Sequence, residues 1–350
     1  MFDKGEPMEN HRIRTFLLGI IALVLVGFVL KAAQVVVVPL IIAWLLSYLL
    51  APVINFMARR HVPPGLSVFL TLVLLLSVCY LSGIFIYARA TGFVEEYPKY
   101  ADRLNEIGTD LATRFTLPEG SLEGINWAQE VGKRLVMVTG SFVGFLSNLL
   151  MVFFFLVFML MGKPYARRKI QHAFPGNQAE RITAVTQSIT HQISRYLSIK
   201  VLISAMTGIL VWGLLAAIGV DFPVTWAVLA FLLNFIPMVG SIIATIPPVL
   251  IALVQFYPNG WAAVGVLAGL LVIQQVMGSF LEPKLTGERL NLSPVVILIS
   301  LIFWGWLWGI IGALLSVPIA VAIKIVCENI EPLKPISILM GSGKSYFKKV

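Results

Sequence analysis

Apolar and polar positions fall into long blocks rather than a residue-by-residue alternation. Apolar runs occupy 14–31, 34–56, 66–88, 139–162, 199–218 and 261–280. Each is close to the length a helix needs to cross a hydrocarbon layer of about 30 Å. Two further apolar stretches, 222–257 and 294–326, are interrupted. Asn234, Pro237 and Gly240 break the first within "NFIPMVG", and "WGWLWGIIG" at 304–312 breaks the second. Proline has no N–H for the helix ladder and glycine loosens the backbone that remains. In lipid, each freed carbonyl costs several kcal/mol unless protein or water meets it. Such a break marks a buried site or a structural kink. The pattern predicts an all-α polytopic membrane protein of about six full spans plus two broken helical hairpins.

The polar blocks carry periodicity of their own. Tyr97, Tyr100, Leu104, Ile107 and Leu111 recur at intervals of three and four, an amphipathic helix. "TLPEGS" reads as a turn and "INWAQEVGKRLVMV" as a second helix, so 89–138 is expected to form a small external helical hairpin. Residues 163–197 read as a basic helical connector turning at Pro175-Gly176, a hinge in preference to a binding segment. The expected division is a scaffold of three spans over 1–88, the external segment 89–138, a fourth span at 139–162 and the connector 163–197. A transport unit over 198–326 and a tail over 327–350 complete it.

The two broken stretches resemble each other. A slide of 71 residues puts Pro223-Val224 on Pro294-Val295 and Thr245-Ile246-Pro247 on Ser316-Val317-Pro318, with Ser241 on Gly312. Each unit is an ordinary span followed by a broken one. If each broken stretch is a re-entrant hairpin, the first dips in from outside and the second from inside, giving an inverted repeat. If each instead crosses twice, the positions of the chain ends do not change. Short Gly/Pro-interrupted segments in corresponding positions point to the binding site of a secondary transporter.

Composition agrees with the class. Of 350 residues, 58% are hydrophobic and 12% charged, against about a quarter charged in soluble domains. The net charge of +9 matters less than its placement. Basic clusters stand at Arg12/Arg14, Arg59/Arg60, Lys163/Arg167/Arg168/Lys169, Lys284/Arg289 and Lys344/Lys348/Lys349, whereas 89–134 holds six basic and eight acidic residues. The positive-inside rule then puts the clusters and both termini in the cytoplasm and 89–134 outside. Topology and anionic lipid account for the clusters, and the aromatic interleaving of a nucleic-acid surface is missing. Arg12 and Arg14 before the first apolar run imitate a signal peptide, but no convincing cleavage site comes after it, so this is read as a retained helix. Cys79 and Cys327 lie far apart, and His11, His61, His172 and His191 are scattered, which favours solvated interface roles over metal binding. "GSGKS" at 341–345 lacks the earlier glycine of a phosphate loop, Ile338 standing there.

Candidate chemistry concentrates in the second half. Pro247 and Pro318 withdraw N–H groups from the carbonyls of Ile243 and Leu314, and Thr245 and Ser316 stand two residues earlier. Those hydroxyls either re-satisfy the backbone or join a ligand shell. Asn234 can donate and accept, toward a polyol-like ligand or another helix. Of the adjacent Gln274 and Gln275, only one can face a cavity. Glu282 ends an apolar span before Pro283, as a proton-exchanging carboxylate or as the partner of Lys284 or Arg289. Asp221 reads as a solvated turn or helix cap and Glu328 with Lys324 as a surface pair. Trp304, Trp306 and Trp308 read as interface anchors in preference to a stacking platform. The candidate pathway is Asn234, Pro237, Gly240, Thr245, Pro247, Gln274, Glu282, Pro294, Ser316 and Pro318.

At these residues the chain resembles the autoinducer-2 exporter family of bacterial inner-membrane permeases. "NFIPMVGSIIATIPP" at 234–248, "EPKLTGERLNLSPVVILIS" at 282–300 and the subsequent "WGWLWGIIGALLSVPIA" carry the likeness, which covers nearly the whole chain. The resemblance implies export of autoinducer-2 or a similar small polar metabolite; some members look like sodium–proton antiporters. With the repeat, it implies an elevator-like moving unit in a homo-oligomer, in the bilayer and without a cofactor, H+ or Na+ being the coupling ion. The alternatives from other classes are a passive channel and a non-transporting scaffold. An enzyme is disfavoured, since no nucleophile is paired with a base.

Overall fold

The computed structural model describes residues 8–114, 142–286 and 292–342. Helices α1 (Met8–Ala32) and α2 (Gln34–Leu49) meet at Ala33, and α3 (Ala51–Arg59) continues α2 after Leu50. Next come α4 (Pro64–Arg114), α5 (Phe142–Ala173) and α6 (Gly176–Ile218). The first broken stretch supplies α7 (Pro223–Leu233) and α8 (Val239–Gln255). Then α9 (Trp261–Gln274) widens into a π-helical run, Gln275–Leu281, and α10 (Glu282–Thr286). Last are α11 (Pro294–Asn329) and α12 (Lys334–Met340). The stretches Gln34–Arg59, Pro64–Phe85, Gly176–Ile218, Trp261–Leu285 and Pro294–Asn329 are long and apolar enough to cross a membrane. Leu17–Ala32 and Asn148–Lys163 are shorter apolar helices. Phe69, Phe154, Val272 and Ile302 point outward, so the surface is as apolar as lipid requires.

Two polar segments are continuous with apolar helices. The amphipathic helix begun at 89 is not separate, because α4 runs unbroken for 51 residues to Arg114. Gly92, Pro98 and Gly108 all stand within that part without ending it, and polarity by itself does not stop a helix. The expected turn and second external helix lie in 115–141, outside the described residues. Residues 163–197 are likewise helical on both sides of a turn and continuous with the apolar helices that flank them. The α5 helix carries on to Ala173, the chain turns at Pro175 with extended backbone, and α6 runs from Gly176 through the apolar region.

Helix α6 organises the interior. Its first half packs Ile193 and Leu197 against Tyr48 of α2 and Leu315 and Val321 of α11. Its second half packs Val211 and Leu215 against α7, α8 and α9 through Trp226, Ala244 and Val266. A third cluster joins Ala43, Leu72 and Leu156 of α2, α4 and α5. Between apolar helices in lipid, close contact rather than transfer from water stabilises the bundle. Small residues allow it: a Cβ at Gly208 would lie 3.1 Å from the Ala227 carbonyl oxygen, and one at Gly269 2.6 Å from the Leu214 side chain. Gly265, the other glycine of that spacing, faces open space.

Both broken stretches double back. In the first, Met238 takes φ +61°, and a Cβ on Gly240 would sit 1.8 Å from the Leu233 carbonyl oxygen. In the second, Gly309 takes φ +65°, and a Cβ on Gly312 would sit 1.8 Å from the Trp304 carbonyl oxygen. Ser300 Oγ donates to the Ser316 carbonyl at 2.8 Å. Sixteen residues of straight helix would hold those groups about 24 Å apart, so α11 is two arms folded at Gly309. The 71-residue slide lays Met238 on Gly309 and Leu233 on Trp304. The left-handed turn and the approached carbonyl thus coincide in register. Glycine tolerates that turn without cost, whereas Met238 bears a strained backbone.

Candidate functional site

Tyr196, Lys200, Ser204 and Thr207 recur at four, four and three residues, so they share one face of α6. That face turns inward: Lys200 is 3% exposed, and Ser204 and Thr207 are fully buried. Two connections leave it, one helical turn apart. Lys200 Nζ donates to Glu282 Oε1 at 2.6 Å, and Asn234 Nδ2 donates to Ser204 Oγ at 2.9 Å. Thr207 commits its hydroxyl to the Ile203 carbonyl at 2.9 Å.

The π-helical run gives Glu282 its place. Pro283 has no N–H for the turn before it, and the Glu282 N–H bonds five residues back, to the Met277 carbonyl. A π turn holds one extra residue, so the residues beyond it are rotated by about 100° relative to a continuing α-helix. The carboxylate thereby reaches α6, and it is partly exposed at 27% of its side chain, whereas its partner is at 4%. Such a pair is held by mutual need, since removing one member strands the other charge.

Three paired or solvated assignments change. Among the described residues Glu282 meets Lys200 and not Lys284, Arg289 lying outside them. Asp221 is a junction, not a solvated turn. Its N–H donates to Gln255 Oε1 at 2.9 Å, its carbonyl accepts from Trp226 Nε1 at 3.0 Å, and its carboxylate accepts from the Tyr100 hydroxyl. Burial and that carboxylate push the Tyr100 hydroxyl well above the ordinary tyrosine range. Lys324 does bond Glu328 at 3.2 Å, but from a buried position.

The remaining candidates separate into two groups. Pro237 and Gly240 form the turn beside Asn234, and Gln274 stands half-buried where the π run begins. Thr245 lies in α8 and donates to the Ser241 carbonyl at 2.8 Å, one residue beyond Ala244 of the core, with Pro247 two residues on. Ser316, fully buried, donates to the Ala313 carbonyl at 2.7 Å, and Pro318 lies in the same buried arm, while Pro294 opens α11 at the far end. Both hydroxyls therefore bond backbone carbonyls, though not those of Ile243 and Leu314 that the prolines leave without a donor. Trp308 is buried, donating from Nε1 to the Leu30 carbonyl at 3.2 Å where α1 gives way to α2. Trp306 faces out beneath Lys31, the cation 4.6 Å from its ring centre. Lys200 is absent from the sequence-based candidates, though a lone lysine inside an apolar run is itself the signal.

Fold and site define a polytopic helical membrane protein that holds an ion pair and an amide–hydroxyl bond among apolar helices. The class can be made specific. The family model of the AI-2E family transporters matches residues 18–331, and the chain belongs to that family, one of bacterial membrane transporters and not of enzymes. It is 38% identical over 343 residues to a protein of Borreliella burgdorferi, covering 98% of this chain and 94% of the relative. A Haemophilus influenzae protein is 33% identical over 350 residues, with 97% and 99% covered. Both bear the name "Putative transport protein". "AI-2 transport protein TqsA" of Escherichia coli K12 is 32% identical over 333 residues, with 93% and 94% covered.

Proposed function

We propose that this protein is a secondary transporter exporting a small polar metabolite, autoinducer-2 being the first candidate, by elevator-like alternating access. The observation that carries the reading is the pair of polar connections, Lys200–Glu282 and Ser204–Asn234, on one face of α6 beside a helix break. A polar solute inside the bilayer must take hydrogen bonds from groups that satisfy one another when it leaves. Asn234 and Ser204 meet that requirement for a hydroxylated ligand. Pro237, Gly240, Thr245, Pro247, Gln274, Glu282, Pro294, Ser316 and Pro318 complete the pathway, with Lys200 added.

The coincident turns at Met238 and Gly309 support a repeated unit. With α9 crossing between them, the two stretches enter from opposite sides as re-entrant hairpins. Both termini then face the cytoplasm, and the first helices form the scaffold of a homo-oligomer. The Lys200–Glu282 pair also favours a second reading, sodium–proton antiport, because a proton on the carboxylate would release the lysine.

Proton flux into proteoliposomes, read by a trapped pH dye with sodium or autoinducer-2 supplied separately, tests both. Proton movement with one ligand, lost in Glu282→Gln and in Lys200→Gln, is the expected result and names the ligand class. Currents at single-channel rates without a gradient would replace the reading by a pore. Silence with verified reconstitution would leave uncoupled export of another metabolite, a pore or a scaffold, which electrical recording would separate.

A further inference from the structure

A cleft of about 850 Å³ opens between α3, α5 and the first half of α6, away from the site just described. Arg59, Lys163, His191 and Arg195 line it, and no aspartate or glutamate does. Arg59, Lys163 and Arg195 form no ion pair among the described residues. The cleft thus concentrates three cations without a carboxylate partner among the described residues, Lys163 also lying 5.5 Å from the Tyr48 ring centre. Its depth in the membrane is set by the helices: Arg59 closes the apolar stretch Gln34–Arg59, and Lys163 closes Asn148–Lys163. Both cations therefore stand where hydrocarbon gives way to headgroups.

The polar lining narrows the ligand further. Thr190 and Ser194 already donate to the carbonyls of Thr186 at 2.7 Å and Tyr48 at 2.9 Å, so their hydroxyl protons are committed. What remains to donate is the two guanidinium groups, the ammonium, the amides of Asn55 and Gln187, the His191 ring and the Ser198 hydroxyl. Guanidinium forks fit phosphate oxygens two at a time. Phe56 and Ile170 give the wall an apolar part, suited to a ligand larger than a bare ion.

We propose that this cleft binds a phosphate group, carried either by an anionic phospholipid headgroup or by a soluble phosphate compound, and that the bound group staples α3 and α5 to α6. The lining residues belong to three helices, so a ligand held by Arg59, Lys163 and Arg195 together resists their separation.

The test uses the full-length protein in neutral detergent, stripped of lipid. Its melting temperature is followed on adding inorganic phosphate against chloride at equal ionic strength. In a second arm, the protein goes into vesicles of phosphatidylcholine alone or with one quarter phosphatidylglycerol, and retained lipid is counted by native mass spectrometry. The cleft variant is Arg59→Gln with Arg195→Gln. The charge-matched control, Arg168→Gln with Lys169→Gln, removes two exposed cations outside the cleft. Wild type and control should be stabilised by one probe, with at least tenfold weaker binding in the cleft variant. A response to phosphate assigns a soluble ligand, and a response to phosphatidylglycerol alone assigns the headgroup. Equal binding by cleft variant and control, or no response to either probe, overturns the proposal. Elution of the cleft variant as wild type on size exclusion separates lost binding from lost folding.

Discussion

At the first break the chain is keyed to α6 through Asn234 and Ser204, whereas at the second Trp308 reaches the Leu30 carbonyl where α1 meets α2. The backbone device is the same in both: a residue of positive φ, then a glycine pressed against a carbonyl seven or eight residues back. The surroundings are not. The first tip meets a hydroxyl through its own amide and, one turn away, an ion pair; the second is wedged by Trp304 and Trp308, tilted by 36° with ring centres 4.7 Å apart. A turn that folds an apolar helix back can be made by steric fit alone. The chemistry around it is a separate choice, so two stretches of one architecture need not do the same work.

The largest expected effect is on the polar side. Glu282→Gln leaves a nearly water-free lysine without a counter-charge and should cost about 3–5 kcal/mol in detergent unfolding. Lys200→Met should cost less, because the stranded carboxylate is the less buried of the two. The double variant should recover part of the loss, and equal costs for the two single changes would contradict the asymmetry. Next come the turns. Gly240→Ala and Gly312→Ala each force a Cβ to 1.8 Å from backbone and should lower stability by about 1–3 kcal/mol or more, with Gly278→Ala, which meets nothing, as reference. Tolerance at one glycine and not the other would end the claim that the two turns are one device.

Smaller in stability but sharper in function is the exchange of partners at the tips. Asn234→Leu and Trp308→Phe each remove one hydrogen bond, worth about 1 kcal/mol. Transport by proteoliposomes should fail with the first and persist with the second. Loss of transport in Trp308→Phe alone would move the site to the aromatic side.

Where the fold is legible in the sequence, the signal is a residue that changes the backbone. Pro237, Gly240 and the glycines of 304–312 announce both breaks, and the fold-back at each is their consequence. Partner choice has no such signal. Lys200 and Glu282 lie 82 residues apart, and no local spacing predicts that a π run will turn the carboxylate toward α6. Asp221 misleads for the opposite reason. Beside Gly219 it looks like an ordinary turn, yet Tyr100 comes to it from 121 residues earlier. The extent of α4 is hidden because a change from apolar to polar imitates an end, whereas a helix ends where its hydrogen bonds end.

That α4 extension allows a last distinction, between the ways the two stretches are held at their outer ends. The second is fastened by Arg181 Nη2 donating to the Asn329 carbonyl at 2.6 Å and by Ser293 N–H donating to the Met340 carbonyl at 2.8 Å. None of these groups titrates near neutrality. The first is fastened by the hydroxyls of Tyr100 and Tyr257 donating to the carboxylates of Asp221 and Asp110. Burial, then the Asp221 carboxylate, with Glu96 adding to it and Arg103 opposing, raises the Tyr100 hydroxyl above its ordinary value. A raised value in the folded state means that the bond's stabilisation is complete below about pH 10, where the unfolded tyrosine begins to ionise, and fades as pH climbs beyond it. Wild type should therefore melt above Tyr100→Phe by a constant margin from about pH 8 to 10, and the margin should close above that. A margin that stayed flat to about pH 11.5 would mean that the hydroxyl does not hold this end, and that the two stretches are fastened alike by contacts that do not titrate.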